Sequence, residues 1–377
     1  MTHSPRLAGR ILTPAGFVDG ELAFDDAGRI AAIDGTPVAG NAARDTASPL
    51  ILPGFIDPHV HGGGGRDVMD GGDAVAHIAA VHARHGTTAL LATTMTAPMS
   101  GLESAFDGLA PLFGDARKAQ PAGARVLGVH LEGPYINPGK LGAQPDFARP
   151  LAGDEIRRLH ARAPIRLITL APEVDGNSDV IESLVAAGYQ VQLGHSLATY
   201  EQSVEAIARG ARGFTHLFNA MKGMHHREPG VVGAALAHAQ YAELIPDLLH
   251  VHPGAIRVAL RAIPHLYCVT DSTAAAGMPD GEYQLGRQRV IKCMGGVRLP
   301  DGTLAGSTLT MDQALRNLVE TLGLDLADAS RRTSTYAADR LGLVDRGRLQ
   351  PGAWGDVVVL DRDLALRDVY VEGRALQ

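Results

Sequence analysis

The 377 residues hold only two cysteines, Cys268 and Cys293. Two are too few for a cross-linked framework, so reduced thiols are the expectation. Lysine is almost as scarce. Lys118, Lys140, Lys222 and Lys292 are the full set, and arginine carries nearly all the positive charge. That charge is not in surplus: Lys and Arg number 34 against 41 Asp and Glu, a formal net charge of −7. Nucleic acid and anionic membrane surfaces are thereby disfavoured as partners. No apolar run reaches the roughly eighteen residues of a membrane span. The start, Met1-Thr2-His3-Ser4-Pro5-Arg6, lacks the charged-then-apolar pattern of a secretory signal. A cytoplasmic chain is the expectation. Internal repeats and low-complexity tracts are also missing.

What is present is ordinary for a soluble enzyme: 45% hydrophobic and 20% charged residues. The length suggests one large domain and a smaller one. Residues 8–34 alternate and turn like short antiparallel strands, and Gly355–Asp361 and Val369–Gly373 have the same texture. The two ends are therefore expected to pair as one discontinuous domain, residues 1–50 and 344–377, around a body of residues 51–343. In that body eight strand-like runs alternate with helix-like ones. They are Leu50–His61, Thr87–Thr94, Arg125–Gly133, Arg166–Glu173, Gln190–Ser196, Gly213–Ala220, Glu243–Val251 and His265–Thr273. This alternation predicts a (β/α)₈ barrel of the TIM type. An open doubly wound sheet is disfavoured, because no G-x-G-x-x-G follows an early strand.

Barrel strands converge at their carboxyl ends, where chemistry is done. Those ends carry His59 and His61, Glu132, His195, His216 and Asp271. His59 and His61 stand at i and i+2, so a strand presents both imidazoles on one face, as a metal requires. Glu132 closes an apolar run in which a carboxylate is costly to bury without a cation. With His195 and His216 it forms a two-histidine, one-carboxylate set that leaves a coordination position for water. Asp271, beside such a water, is the natural proton acceptor and later donor. His130 shares a face with Glu132 and reads as supporting rather than ligating. His77, His82 and His85 lie in a helix-like run and are expected to face solvent or the helix end, and His160 and His238 are read in the same way. Arg227 and His250 fall in loop and strand-end contexts, where they could clamp a substrate anion.

Taken together, these residues resemble the amidohydrolase superfamily, and within it the N-acetylglucosamine-6-phosphate deacetylase family. The resemblance runs over essentially the whole chain. It is densest in PGFIDPHVHG, HLEGPYINPGKLGAQP, LGHS, THLFNAM, HREPG, LLHV, VTDSTAAAG and LAGSTLTM. It implies a metal-bearing (β/α)₈ barrel with a small β-sandwich built from both chain ends. It further implies Glu132, His195 and His216 as ligands of a principal metal. His59 and His61 would add a second, so one or two divalent ions per chain (Zn, Fe, Mn or Co) are expected. No lysine lies in Arg166–Glu173 or ends a strand, which excludes relatives that bridge two metals with a carboxylated lysine. Substrate contacts carry over to Asn219, the Ala220 backbone, Arg227 and His250. Gln144 stands where some members place a carbonyl-polarising histidine, and as an amide it can still donate a hydrogen bond. The segment Ile245–His250 also departs from the family's glycine-containing run, which leaves fine substrate preference open. The implied reaction is hydrolysis of the acetamide of an N-acetylated amino-sugar 6-phosphate, by a homodimer. Its glucosamine and galactosamine epimers are not separated by these residues. The rival of another class is a non-catalytic barrel kept for binding.

Overall fold

The computed structural model describes residues 6–39, 44–45, 47–113, 122–152 and 154–376. Lys118 and the first five residues lie outside them. Strands from both ends of the chain share one seven-stranded sheet. Across that sheet run Arg374–Ala375, Leu366–Val371, Val357–Leu360, Leu50–Pro53, Arg6–Thr13, Gly16–Phe24 and Ile30–Pro37. Ile11, Leu22, Phe24, Ile51, Val357 and Val359 form an apolar core of their own there. This connectivity joins the chain ends as expected, and it is a single sheet rather than a demonstrated two-layer sandwich.

The body is built on five parallel strands, Phe55–Val60, Thr87–Thr94, Arg125–Glu132, Ile165–Leu170 and Gln190–Leu193, in that spatial order. Thr87–Thr94 and Phe55–Val60 are buried at every position. Burial on both faces explains why the sequence reads there as continuous apolar runs without alternation. The curl continues through a bridge from Leu193 to Phe214, the bond from Glu243 N to Phe214 O, and the pair Tyr241–Leu244 and His265–Cys268. It returns to the first strand where Ser272 bridges Val60. This arrangement fits a TIM-type barrel. Helices cover it, among them Ala74–Ala83, Met99–Leu109, Asn177–Ala186, Tyr200–Ala208, Gly230–His238 and Pro253–Ala262. Tyr200–Ala208 starts at a capping box, with Thr199 Oγ1 accepting from Gln202 N and the Gln202 side chain accepting from Thr199 N.

Three expectations need correction. The run Leu50–His61 is two strands, one in the end sheet and one in the barrel, separated at Gly54. Its N–H bonds Asp356 O, and a Cβ there would lie 2.3 Å from Thr88 Cγ2. Gly213–Ala220 is not a regular strand: after the bridge at Phe214 the chain turns, with positive φ at His216, Phe218 and Ala220 that a strand does not admit. Finally, a three-stranded antiparallel unit, Gly281–Leu285, Gln288–Cys293 and Gly296–Arg298, follows the eighth strand and was not anticipated. Buried Asp67 pins it, accepting from Gly286 N at 2.9 Å.

Candidate metal centre

Glu132 is the last residue of its strand, and His195, His216 and Asp271 follow theirs by two or three residues. The last three have φ of 48°, 29° and 50°. Such backbone is uncommon for residues bearing a Cβ and turns each side chain sharply off the strand direction. Asp271 is held by its neighbours' backbones: its N–H bonds His59 O at 2.9 Å, and its carbonyl accepts from Ser307 N at 2.8 Å. Gly306 makes this approach workable, since a Cβ there would lie 2.9 Å from the Asp271 carbonyl oxygen.

The side chains converge on Glu132. Its Oε1 lies 3.1 Å from His195 Nε2 and 3.0 Å from His216 Nε2. Its Oε2 lies 3.1 Å from His61 Nε2 and 3.4 Å from His59 Nε2. On the other side, Asp271 Oδ1 stands 3.2 Å from His61 Nε2 and 3.4 Å from His59 Nε2. Both groups, Glu132/His195/His216 and His59/His61/Asp271, bring their ligand-type atoms within 4.8 Å of one another. The other ring nitrogens settle which way the lone pairs face. His195 Nδ1 meets the Lys140 carbonyl at 2.8 Å, His61 Nδ1 the Thr93 carbonyl at 3.2 Å, and His59 Nδ1 the Glu243 carboxylate at 2.9 Å. Each of those partners only accepts, so Nδ1 carries the proton and Nε2 turns its lone pair inward. Lone pairs of imidazole and carboxylate thus face one another in a buried space, which only protons or a cation can reconcile. A mixed nitrogen and oxygen set suits a divalent ion of the zinc or late first-row type.

The electrostatics agree. Burial opposes charge on Glu132, yet the charge of His59 beside it and its contacts with His195 and His216 hold its carboxyl well below the usual range. Burial likewise opposes ionisation of Asp271, but His59 and His61 hold it at about 2. Burial pulls His61 down, while its bonds to Asp271 and Glu132 push it up to about 9. His130 behaves otherwise: burial, reinforced by charge on His59, takes it to about 3. Its ring is spent on Thr169 Oγ1 at 2.7 Å and the Pro58 carbonyl at 3.2 Å.

A cavity of about 220 Å³ opens over the cluster, floored by His61, Glu132, His195, His216 and Asp271. Gln144, Asn219, Ala220 and His250 line it, together with Leu285 from the unanticipated unit and Thr303 and Leu304 from the chain that follows it. Gln144 is engaged with the cluster itself. Its Nε2 donates to Glu132 Oε2 at 2.7 Å and its Oε1 accepts from Thr96 N at 2.7 Å. His250 Nδ1 is fixed by Asp247 Oδ2 at 2.6 Å. Arg227 is not brought to this cavity. It lies exposed on its loop, with Nη1 2.8 Å from His226 Nε2.

Two site residues escaped the sequence. Glu243 is fully buried behind His59, and its signal was a lone acid inside the apolar run Tyr241–Ile245. His82, expected near solvent, is buried, with Nε2 3.0 Å from Gly62 O and 3.1 Å from Ser272 Oγ. It faces the barrel because Ile78 and Ala79, four and three positions earlier, lie on the same buried side. His77, His160 and His238 are exposed as read.

Comparison with known proteins places the geometry in context. An N-acetylgalactosamine-6-phosphate deacetylase of Escherichia coli O157:H7 is 41% identical over 99% of both chains. An N-acetylglucosamine-6-phosphate deacetylase of Lysinibacillus sphaericus is 40% identical over 86% of this chain and 85% of its own. A solved structure of an N-acetyl-D-glucosamine-6-phosphate deacetylase mutant from Mycobacterium smegmatis, in complex with N-acetyl-D-glucosamine-6-phosphate, superposes with a TM-score of 0.88. It is 35% identical and covers 98% of each chain. Residues 50–376 match the amidohydrolase family as a whole, and with relatives this similar over nearly the full length, the chain belongs to the amidohydrolase family.

Proposed function

We propose that the chain hydrolyses the acetamide of N-acetyl-D-glucosamine 6-phosphate, releasing acetate and glucosamine 6-phosphate. The observation that carries this reading is the convergence of Glu132, His195 and His216 beside Asp271 on the floor of one cavity. Relatives named for this reaction, and a related structure holding that sugar phosphate, supply the substrate. Glu132, His195 and His216 would hold one divalent ion, and His59 and His61 a second that shares Glu132. Such an ion, when bound, supplies Lewis-acid polarisation and an acidified water. Asp271 accepts the water's proton and returns it to the leaving amine, which departs as the neutral amino group. Asn219 and the Ala220 backbone face the sugar ring, His250 faces its phosphate, and Arg227 would reach that phosphate only by leaving His226. Gln144 holds Glu132 with one amide hydrogen, and its other remains for the carbonyl oxygen. A homodimer, with small-molecule substrate only, belongs to the same reading. No helix among the described residues is long and apolar enough to cross a membrane.

The test is acetate release from N-acetylated hexosamine 6-phosphates with Zn²⁺, Mn²⁺, Fe²⁺ or Co²⁺ supplied in turn. Turnover of the glucosamine ester above its galactosamine epimer is expected. The relative named for the galactosamine compound makes that epimer the necessary comparison. A preference for it would move the substrate, and no acetate from either would overturn the reading.

A further inference from the structure

One carboxylate touches both halves of the metal cluster. Glu243 lies fully buried on the strand Tyr241–Leu244. Its Oε2 is 2.9 Å from His59 Nδ1 and 3.1 Å from the backbone nitrogen of His216, while its Oε1 accepts from Gln192 Nε2 at 2.8 Å. His59 comes from the first barrel strand and His216 from the turn after Phe214, so residues far apart in the chain meet at one oxygen.

The two contacts do different things. The bond from His59 fixes the ring's tautomer, and an ionised acceptor there raises the basicity of Nε2 as a ligand. The bond from the His216 amide anchors a residue whose φ of 29° is otherwise costly. Losing Glu243 would release both at once.

His59, His130 and Glu243 also bring ligand-type atoms close enough to suggest an ion of their own. Hydrogen bonding argues against that. His130 Nδ1 faces the Pro58 carbonyl and must donate, which leaves Nε2 to accept from Thr169 Oγ1. His59 Nδ1 donates to Glu243. No lone pairs converge between the three, so they orient one another instead of ligating.

We infer that Glu243 is the positioning residue that sets His59 and His216 together and so couples the two halves of the metal cluster. The inference rests on the metal reading proposed above. It is tested on the full chain, stripped of metal and titrated with Co²⁺ by calorimetry, with the visible Co²⁺ spectrum and thermal melting followed alongside. Glu243→Ala should weaken the ion held by His59 and His61 by about 10–100-fold and alter the spectrum. Glu243→Gln keeps an oxygen for His59 and His216. Its amide can donate to Gln192, whose Oε1 has no partner, so this variant should fold while losing the charge. About tenfold weaker binding of that ion is expected. If Glu243→Ala does not fold, Glu243→Gln decides alone. Wild-type affinity and spectrum in Glu243→Gln, even with a lower melting temperature, would overturn the inference and leave Glu243 structural. A wild-type chain that takes up no Co²⁺ would overturn the metal reading as well, an outcome distinct from the first.

Discussion

His195 and His216 face each other with their Nε2 atoms 3.1 Å apart, both against the same oxygen of Glu132. Two imidazole nitrogens and a carboxylate oxygen do not gather so closely in a buried site unless something positive lies between them. Glu132 is the one member of that set shared with His59 and His61. Glu132→Gln keeps the shape and removes the charge, so metal content and nearly all turnover should be lost together. Elemental analysis and an acetate assay on the same preparation check this. A fully loaded, active variant would mean that the ligands are elsewhere.

His59 and His61 should carry the second ion. Their rings stand edge to face with Nε2 atoms 3.2 Å apart, and both lie against Oε2 of Glu132, where His195 and His216 lie against Oε1. Changing both to Ala should lower the metal content by one ion per chain without unfolding the barrel. Wild-type protein that never exceeds one ion per chain in excess metal would refute a two-ion centre.

Asp271 is buried, and Asp271→Asn leaves its position filled but without a group to shuttle the proton. A loss of about 10²–10⁴-fold in kcat is expected, with substrate affinity retained. Near wild-type kcat would assign the proton to another residue.

Much of this site was legible because its members sit where apolar runs stop. Glu132, His195, His216 and Asp271 each interrupt such a run with a group that an apolar strand end would not otherwise hold. Glu243 was hidden for the opposite reason: it lies within a run, and its partner His59 is 184 residues away in sequence. His82 was misjudged because its helix is apolar nearly all round, so periodicity did not distinguish its buried face. In the fold, the alternation of runs gave the curled parallel sheet. The break at Gly54 was invisible because the strands on either side are both fully buried. The turn at His216 and the three-stranded unit depend on backbone angles and tertiary pinning, by Glu243 and Asp67, that local pattern does not encode.

The joint between end sheet and barrel makes a stability prediction. Buried Arg346 pairs with both Asp356 and Glu372, and Glu372 also accepts from Arg125 Nε at 2.9 Å on a barrel strand. Burial opposes charge on Glu372, but the bond from Arg125 and the charge of Arg346 prevail and lower its pKa. A lowered carboxylate pKa stabilises the fold above the unfolded value near 4.5, and this contribution fades as pH falls through the folded value. Glu372→Gln leaves Arg346 paired with Asp356 and should therefore cost about 1–3 kcal/mol at pH 7, with the gap to wild type narrowing below pH 4.5. Urea unfolding at pH 7 and pH 4 measures it. A gap that widens on acidification would reverse the assignment.

His250 and Arg227 are the residues proposed for the substrate's phosphate, and the structure places them unequally. His250 lines the cavity with Nδ1 tied to Asp247, so Nε2 is its remaining hydrogen-bonding atom. Arg227 is outside, with its guanidinium on His226. A planar guanidinium can hold a phosphate through two parallel bonds, and neither residue is needed to hydrolyse the amide of an uncharged sugar. His250→Ala and Arg227→Ala should each depress kcat/KM for N-acetylglucosamine 6-phosphate while barely changing it for free N-acetylglucosamine. The cost of losing a charge-assisted contact is about 1.5–3 kcal/mol in transition-state stabilisation, roughly tenfold to more than a hundredfold. Paired kinetic titrations of each variant on both sugars measure it. Equal losses on the two sugars would make the residue structural and send the search for the phosphate site elsewhere on the cavity wall.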